Sequence, residues 1–143
     1  LRSSLYGLII VYLASTLPVA LYMLRNYFNA IPVELEEAAM VDGLSRMGVI
    51  RKVTIPLASP AIAAVGLYVF MIAWNEFLYA LLFVLERRDL WTLSLGVQQL
   101  DNQEVPKTVL MAGSVIISLP VIFLFFAAER FLREGLTAGG VKG

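Results

Sequence analysis

Leu5 to Leu24 is an uncharged run of twenty residues between Arg2 and Arg25. At about 1.5 Å per residue a helix of that length covers a hydrocarbon core of ~30 Å, so a membrane span is predicted. Pro18 inside it predicts a kink, tolerated where neighbouring helices re-satisfy the freed carbonyl. Val53 to Asn75 is also uncharged, and past Glu76 the apolar run resumes to Leu85. This predicts one long helix, from about Pro60 to about Leu85, with a single charge inside. Thr108 to Ala128 is the third uncharged run, bounded by Lys107 and Glu129, with Ala112, Gly113, Ser114 and Ser118 as small residues for close helix contact. Three such runs leave too little polar sequence to coat a soluble bundle, so the expected fold is all-α: a polytopic transmembrane bundle with spans at about 5–24, 60–85 and 108–128.

Composition agrees with a bilayer setting. Of 143 residues, 59% are hydrophobic and 15% charged, and the mean hydropathy is +0.80, well above the apolar share of a soluble domain. Eleven basic and eleven acidic residues cancel, leaving no basic field for nucleic acid. The absence of cysteine and histidine excludes thiol nucleophiles, thiolate metal sites, imidazole chemistry and disulfides. No catalytic residue, no metal site and no enzyme activity is therefore expected. Leu1 opens the chain in place of methionine and no signal-peptide pattern follows, so the expectation is the C-terminal part of a longer protein.

Charge placement orients the spans. The connector at 25–56 and the tail at 129–143 share one side and hold Arg25, Arg46, Arg51, Lys52, Arg130, Arg133 and Lys142. Arg2, Arg87, Arg88 and Lys107 lie on the other. That bias predicts a cytoplasmic connector and tail and an outer loop at 86–107.

The connector itself is patterned. Ile31-Pro32 opens it with proline at a first helical position, and Glu34, Glu36 and Glu37 follow in the first turns, where the helix dipole favours acids. Gly43 is placed to end that helix in the left-handed conformation, and Ser45 to cap a second helix through Arg46, Arg51 and Lys52. At 100° steps Leu35, Ala38, Ala39 and Asp42 fall on one side, yet acids appear all round, so no broad apolar face exists to lie in lipid. Small Ala38 and Ala39 suit the close approach of a protein partner; the alternative is a solvated loop.

From Glu37 the chain reads E-A-A, three residues, Gly43, nine residues, then Val53-Thr54-Ile55-Pro56. This resembles the cytoplasmic EAA loop of permease subunits in binding-protein-dependent ATP-binding-cassette importers, whose pattern ends in I-x-L-P. Val53 and Ile55 depart from it but keep apolar bulk. The segments L-P-V-A-L-Y-M-L-R, I-P-V-E-L-E-E-A-A, A-W-N-E-F at Ala73 to Phe77, and the terminal G-L-T-A-G-G-V-K-G resemble the maltose-type carbohydrate permeases, over nearly the whole chain. The resemblance implies that these are the last three of six helices in a multi-pass inner-membrane subunit that imports a carbohydrate by alternating access. It implies that the loop is a coupling helix docking on a cytoplasmic ATPase, with Glu37, Ala38, Ala39 and Gly43 as the docking element and Asp42 adding a charge contact. Implied partners are two ATPase copies, a second permease subunit, an extracytoplasmic solute-binding protein and the lipid bilayer. ATP and magnesium belong to the ATPase, with no cofactor on this chain. A related importer of another solute, such as a glycerol phosphate or a polyamine, carries the same loop. A structural membrane subunit is the reading from outside transport. An intramembrane enzyme built on Glu76 lacks a second titratable group deep in a span.

Trp74-Asn75-Glu76-Phe77 sets an amide and a carboxylate in a span, about nine residues or ~14 Å from its outer end. An ionised residue at the centre of a membrane helix costs roughly 2.5–3.5 kcal/mol on insertion scales, so such groups face a polar interior. Asn75 and Glu76 are thus candidates for the solute pathway, or for an interhelical hydrogen-bond anchor. Gly135 to Lys142 imitates a phosphate-binding loop, but Val141 stands where lysine is required and Lys142 where serine or threonine is. In the outer loop, Trp91 suits a membrane interface and an amphipathic run extends through Leu100; the resemblance makes this loop a candidate contact for the binding protein.

Overall fold

The computed structural model describes residues 3–101 and 104–140, and the side chains of all of these except 132 and 134–140. Among the described residues the fold is helical throughout, without strands: α1 Leu5–Asn29, α2 Val33–Val41, α3 Arg46–Val49, a π turn Ile50–Thr54, α4 Ile55–Asn75, α5 Leu78–Val84, a 3₁₀ turn Arg88–Leu90, α6 Leu93–Leu100 and α7 Lys107–Gly140. Three stretches are long and apolar enough to cross a membrane, Leu5–Asn29, Arg46–Asn75 and Lys107–Phe131. Helices are the outcome that lipid imposes on such runs, because every backbone donor and acceptor must find its partner within the segment.

The middle span departs from the expected single helix over 60–85. It begins earlier, running on from Arg46 through the π turn into α4, and it breaks at Glu76 and Phe77 before resuming as α5. Pro60 lies inside α4 and does not start it. The other two spans exceed their apolar runs, α1 by five residues past Leu24 and α7 to Gly140. An Arg133–Glu129 ion pair of 2.6 Å, one turn apart, supports that extension of α7. Its backbone stays helical to Gly140, whereas Val141, Lys142 and the side chains of the phosphate-loop mimic lie outside the described residues.

Contacts divide the chain into two units. The first comprises Leu1–Pro18 and Tyr68–Ala127. Its core is Leu8 of α1, Ala80 and Val84 of α5 and Leu95 of α6, with Tyr12 and Phe77 packed against it. The expected amphipathic run after Trp91 forms α6: the Thr92 side chain caps it by accepting from the Leu95 amide at 3.4 Å, and Leu95 is fully buried. The second unit comprises Val19–Leu67 and Ala128–Gly143, with Ala39, Val49, Ala58, Ala61 and Val65 as its buried apolar residues.

Of the small residues expected to allow close helix contact on α7, Gly113 does so. A Cβ there would meet Val97 Cγ2 of α6 at 3.2 Å. Ser114 and Ser118 donate to carbonyls one turn back, Leu110 and Ser114, at 3.0 and 2.9 Å, and are exposed, as is Ala112. Gly113→Leu is expected to lower stability by about 1–3 kcal/mol through overpacking, with Gly113→Ala near the bottom of that range. Denaturant unfolding of both variants in detergent checks the order.

Candidate functional site

The connector folds as a helical hairpin built by local rules. Pro32, expected at the first helical position, stands instead at the N-cap of α2, one position before Val33, with extended φ −61° and ψ 129°. Glu34 and Glu36 occupy the first turn, at the positive end of the dipole. The far end closes as a Schellman motif, in which the Leu44 amide donates to the Ala39 carbonyl at 3.2 Å and the Gly43 amide to the Met40 carbonyl at 3.0 Å. Gly43 has φ +95°, and a Cβ added there meets nothing within 4 Å. The glycine is thus required by the backbone angle and not by crowding. Ser45 then caps α3, its hydroxyl accepting from the Gly48 amide at 3.2 Å.

A hydrogen bond ties α2 to the π turn. Thr54 Oγ1 in the π turn donates to Glu36 Oε1 at 3.1 Å. Glu36 is therefore engaged internally, while Glu37, Ala38, Asp42 and Gly43 stay exposed. Ala39 is far less exposed than its neighbour Ala38: at 9% exposure it is buried, and it meets the outside only at the floor of a cleft. Leu35, Ala38, Ala39 and Asp42 do share one side, lining with Lys52 and Pro56 a cleft of about 490 Å³. A second cleft of about 360 Å³ is lined by Glu36, Glu37, Met40, Arg46, Val49 and Ile50. Motif reading passed over Met40 and Val41, the latter 87% exposed. Their signal was apolar side chains off the Leu35/Ala39 stripe of a helix with no lipid-facing side.

The second candidate site is the helix break. Each residue of Trp74-Asn75-Glu76-Phe77 has its own task there. Trp74 stacks on Phe70, with ring centroids 5.2 Å apart, and its indole N–H donates to the Ile117 carbonyl of α7 at 3.0 Å. That carbonyl lies in the turn before Pro120, which has no N–H to offer Ile116. Asn75 is the last residue of α4, and its side-chain amide donates to the Met71 carbonyl of its own helix at 2.9 Å. Glu76 accepts through Oε1 from the Tyr79 amide at 2.7 Å and through Oε2 from the Ala80 amide at 3.1 Å, capping α5 from two residues ahead. The same Oε2 accepts from the Tyr12 hydroxyl of α1 at 2.8 Å, and the Glu76 carbonyl accepts from the Ser94 hydroxyl of α6 at 2.5 Å. Phe77 packs on the core.

Both Glu76 carboxylate oxygens are held by the chain's own donors, a geometry that suits an interhelical anchor. Asn75 is exposed and Glu76 half-buried; although adjacent in sequence, they do not converge on a common partner. Tyr12 and Ser94 were not legible as members of this site: tyrosine and serine are ordinary in spans, and nothing local marks which ones reach an acid. No group of metal-ligating side chains occurs among the described residues.

The loop after α5 is held by polar contacts. Arg87 forms a bidentate pair with Asp89, with Nη2 to Oδ2 at 2.7 Å and Nε to Oδ1 at 3.2 Å. Trp91 donates to the Leu85 carbonyl at 3.1 Å, and the Arg88 guanidinium lies 5.5 Å from its ring centre. The Arg87 hydrogen bond holds the Asp89 carboxyl below the usual carboxylate range. Its contribution is thus present at neutral pH and lost as pH falls through that lowered pKa, and it is small because the pair is fully solvated.

The family model described as binding-protein-dependent transport system inner membrane component matches residues 1–137. The chain is 45% identical over 140 residues to the inner membrane ABC transporter permease protein YcjP of Escherichia coli, covering 96% of this chain and 49% of that one. It is 39% identical over 134 residues to the trehalose/maltose transport system permease protein MalG of Thermococcus litoralis, covering 92% and 48%. It is 40% identical over 144 residues to the sulfoquinovosyl glycerol transport system permease protein SmoH of Agrobacterium fabrum, covering 100% and 50%. The chain thus spans about half the length of the curated relatives it matches. With its three apolar helices, it is a multi-pass inner-membrane chain that belongs to the family of binding-protein-dependent transport system inner membrane components.

Proposed function

We propose that this chain is the force-receiving part of a permease subunit in an ATP-driven importer, and that the α2–α3 hairpin is its docking element for a separate cytoplasmic ATPase. The hairpin geometry carries this reading. A polar helix closed by a Schellman turn, capped anew at Ser45 and clasped by Thr54–Glu36, runs without interruption into a membrane-spanning helix. A rigid handle of that kind transmits displacement, which a solvated loop does not. Glu37, Ala38, Asp42 and Gly43 form the outer surface in this reading, with Met40 and Val41 as apolar contacts. Ala39 supports them from within.

The intact importer comprises two ATPase copies, a second permease subunit and an extracytoplasmic binding protein that meets the loop around Arg87–Trp91. A carbohydrate is the cargo supported best, because relatives at 39% and 40% identity are named for trehalose/maltose and for sulfoquinovosyl glycerol transport.

Disulfide crosslinking in membranes tests the docking role, with Ala38→Cys in the full-length permease against single cysteines in the ATPase cleft. Ala38 is exposed where Ala39 is buried, so the probe sits on the surface in question. A crosslink that changes with nucleotide is expected. Its absence in a complex that assembles and hydrolyses ATP overturns the proposal.

A further inference from the structure

The break between α4 and α5 concentrates polar contacts that the hairpin does not use. Three of them join segments far apart in sequence: Tyr12 to Glu76, 64 residues apart; Trp74 to Ile117, 43 apart; and Ser94 to Glu76, 18 apart. All lie within the first unit, beside the core of Leu8, Ala80, Val84 and Leu95. A membrane helix interrupted in this way exposes first-turn amides and last-turn carbonyls that lipid cannot satisfy. Here the chain answers with its own side chains. Glu76 caps α5 and Ser94 takes the Glu76 carbonyl. Tyr12 stands apart from the rest, because α5 is already capped without it. Its hydroxyl adds nothing to the closing of the break and only ties the break to α1.

We propose that Glu76 is a positioning residue for transport, and that its hydrogen bond from Tyr12 is a latch making α1, the α4–α5 break and α6 move as one body. Solute-binding signals that enter through the α6 side then reach α4, whose cytoplasmic continuation is the coupling hairpin. The inference rests on the coupling role proposed above. It adds that the break is an articulated joint whose stiffness the Tyr12 hydroxyl sets.

The test uses Tyr12→Phe in the full-length permease, assembled with its ATPase and reconstituted in liposomes with its binding protein. Phenylalanine keeps the ring against the core and deletes the hydroxyl alone. Solute uptake and binding-protein-stimulated ATP hydrolysis are expected to fall about five-fold or more, with assembly and basal hydrolysis unchanged. Ser94→Ala should act in the same direction. Unchanged uptake in Tyr12→Phe, or an equal fall of basal and stimulated hydrolysis, overturns the latch. The Ala38→Cys crosslink keeps the two readings distinct. If it remains nucleotide-sensitive while the Tyr12→Phe result fails, the latch alone is wrong; if it is absent in the otherwise unaltered permease, the coupling role is wrong.

Discussion

Glu76→Ala is expected to destabilise the folded permease by about 3–5 kcal/mol. The carboxylate accepts three hydrogen bonds, from the Tyr12 hydroxyl and from the Tyr79 and Ala80 amides. Alanine removes the acceptor for all three, and each polar group left without a partner away from water costs roughly 1–3 kcal/mol. Lipid makes matters worse for the amides, since no solvent enters to replace the oxygen. Glu76→Gln keeps one carbonyl oxygen and should recover about half of the loss. Unfolding of the three proteins by denaturant in mixed micelles gives the comparison. A loss below about 1 kcal/mol for alanine would mean that apolar packing of Ala80, Val84 and Leu95 holds the break and the polar contacts are incidental.

Gly43 carries the second large effect, on coupling. Its φ of +95° lies where an L side chain is strained by roughly 1–2 kcal/mol, more for a β-branched one. Changing that angle breaks the Gly43–Met40 and Leu44–Ala39 bonds together, so the turn is lost as a unit and α3 leaves at another angle. Gly43→Val should reduce solute-driven transport about ten-fold, the change that roughly 1.4 kcal/mol gives, with the subunit still assembled. Gly43→Asn, which tolerates the left-handed region, should stay within about two-fold of the parent, and Gly43→Ala should fall between. That order separates backbone strain from crowding, because no atom lies near an added Cβ. Equal damage by asparagine and valine would show that the surface there needs a bare backbone for contact with the partner.

Both variants probe features of different legibility. The hairpin was readable residue by residue: Gly43 in the left-handed region, Ser45 as a cap and the acids of the first turn depend on groups within four positions of each other. Burial of Ala39 was not readable, since the wheel places it beside exposed Ala38 and only the packing of the hairpin separates them. Likewise, no glycine or proline occurs between Gly66 and Gly96 to announce a break. An uninterrupted helix was the natural expectation for Pro60 to Leu85.

By itself the sequence determined the three spans, the helical hairpin and the family. The length of an uncharged run decides whether a helix can cross a bilayer, and caps and turns are set by neighbouring residues. Tertiary structure alone decided where the middle span breaks and which groups hold Glu76. The groups that meet the break, the Ser94 hydroxyl on the Glu76 carbonyl and the Tyr12 hydroxyl that ties Glu76 to α1, are supplied from elsewhere in the chain. A local pattern can announce that an acid in a span needs partners, but only folding brings particular ones within hydrogen-bonding distance.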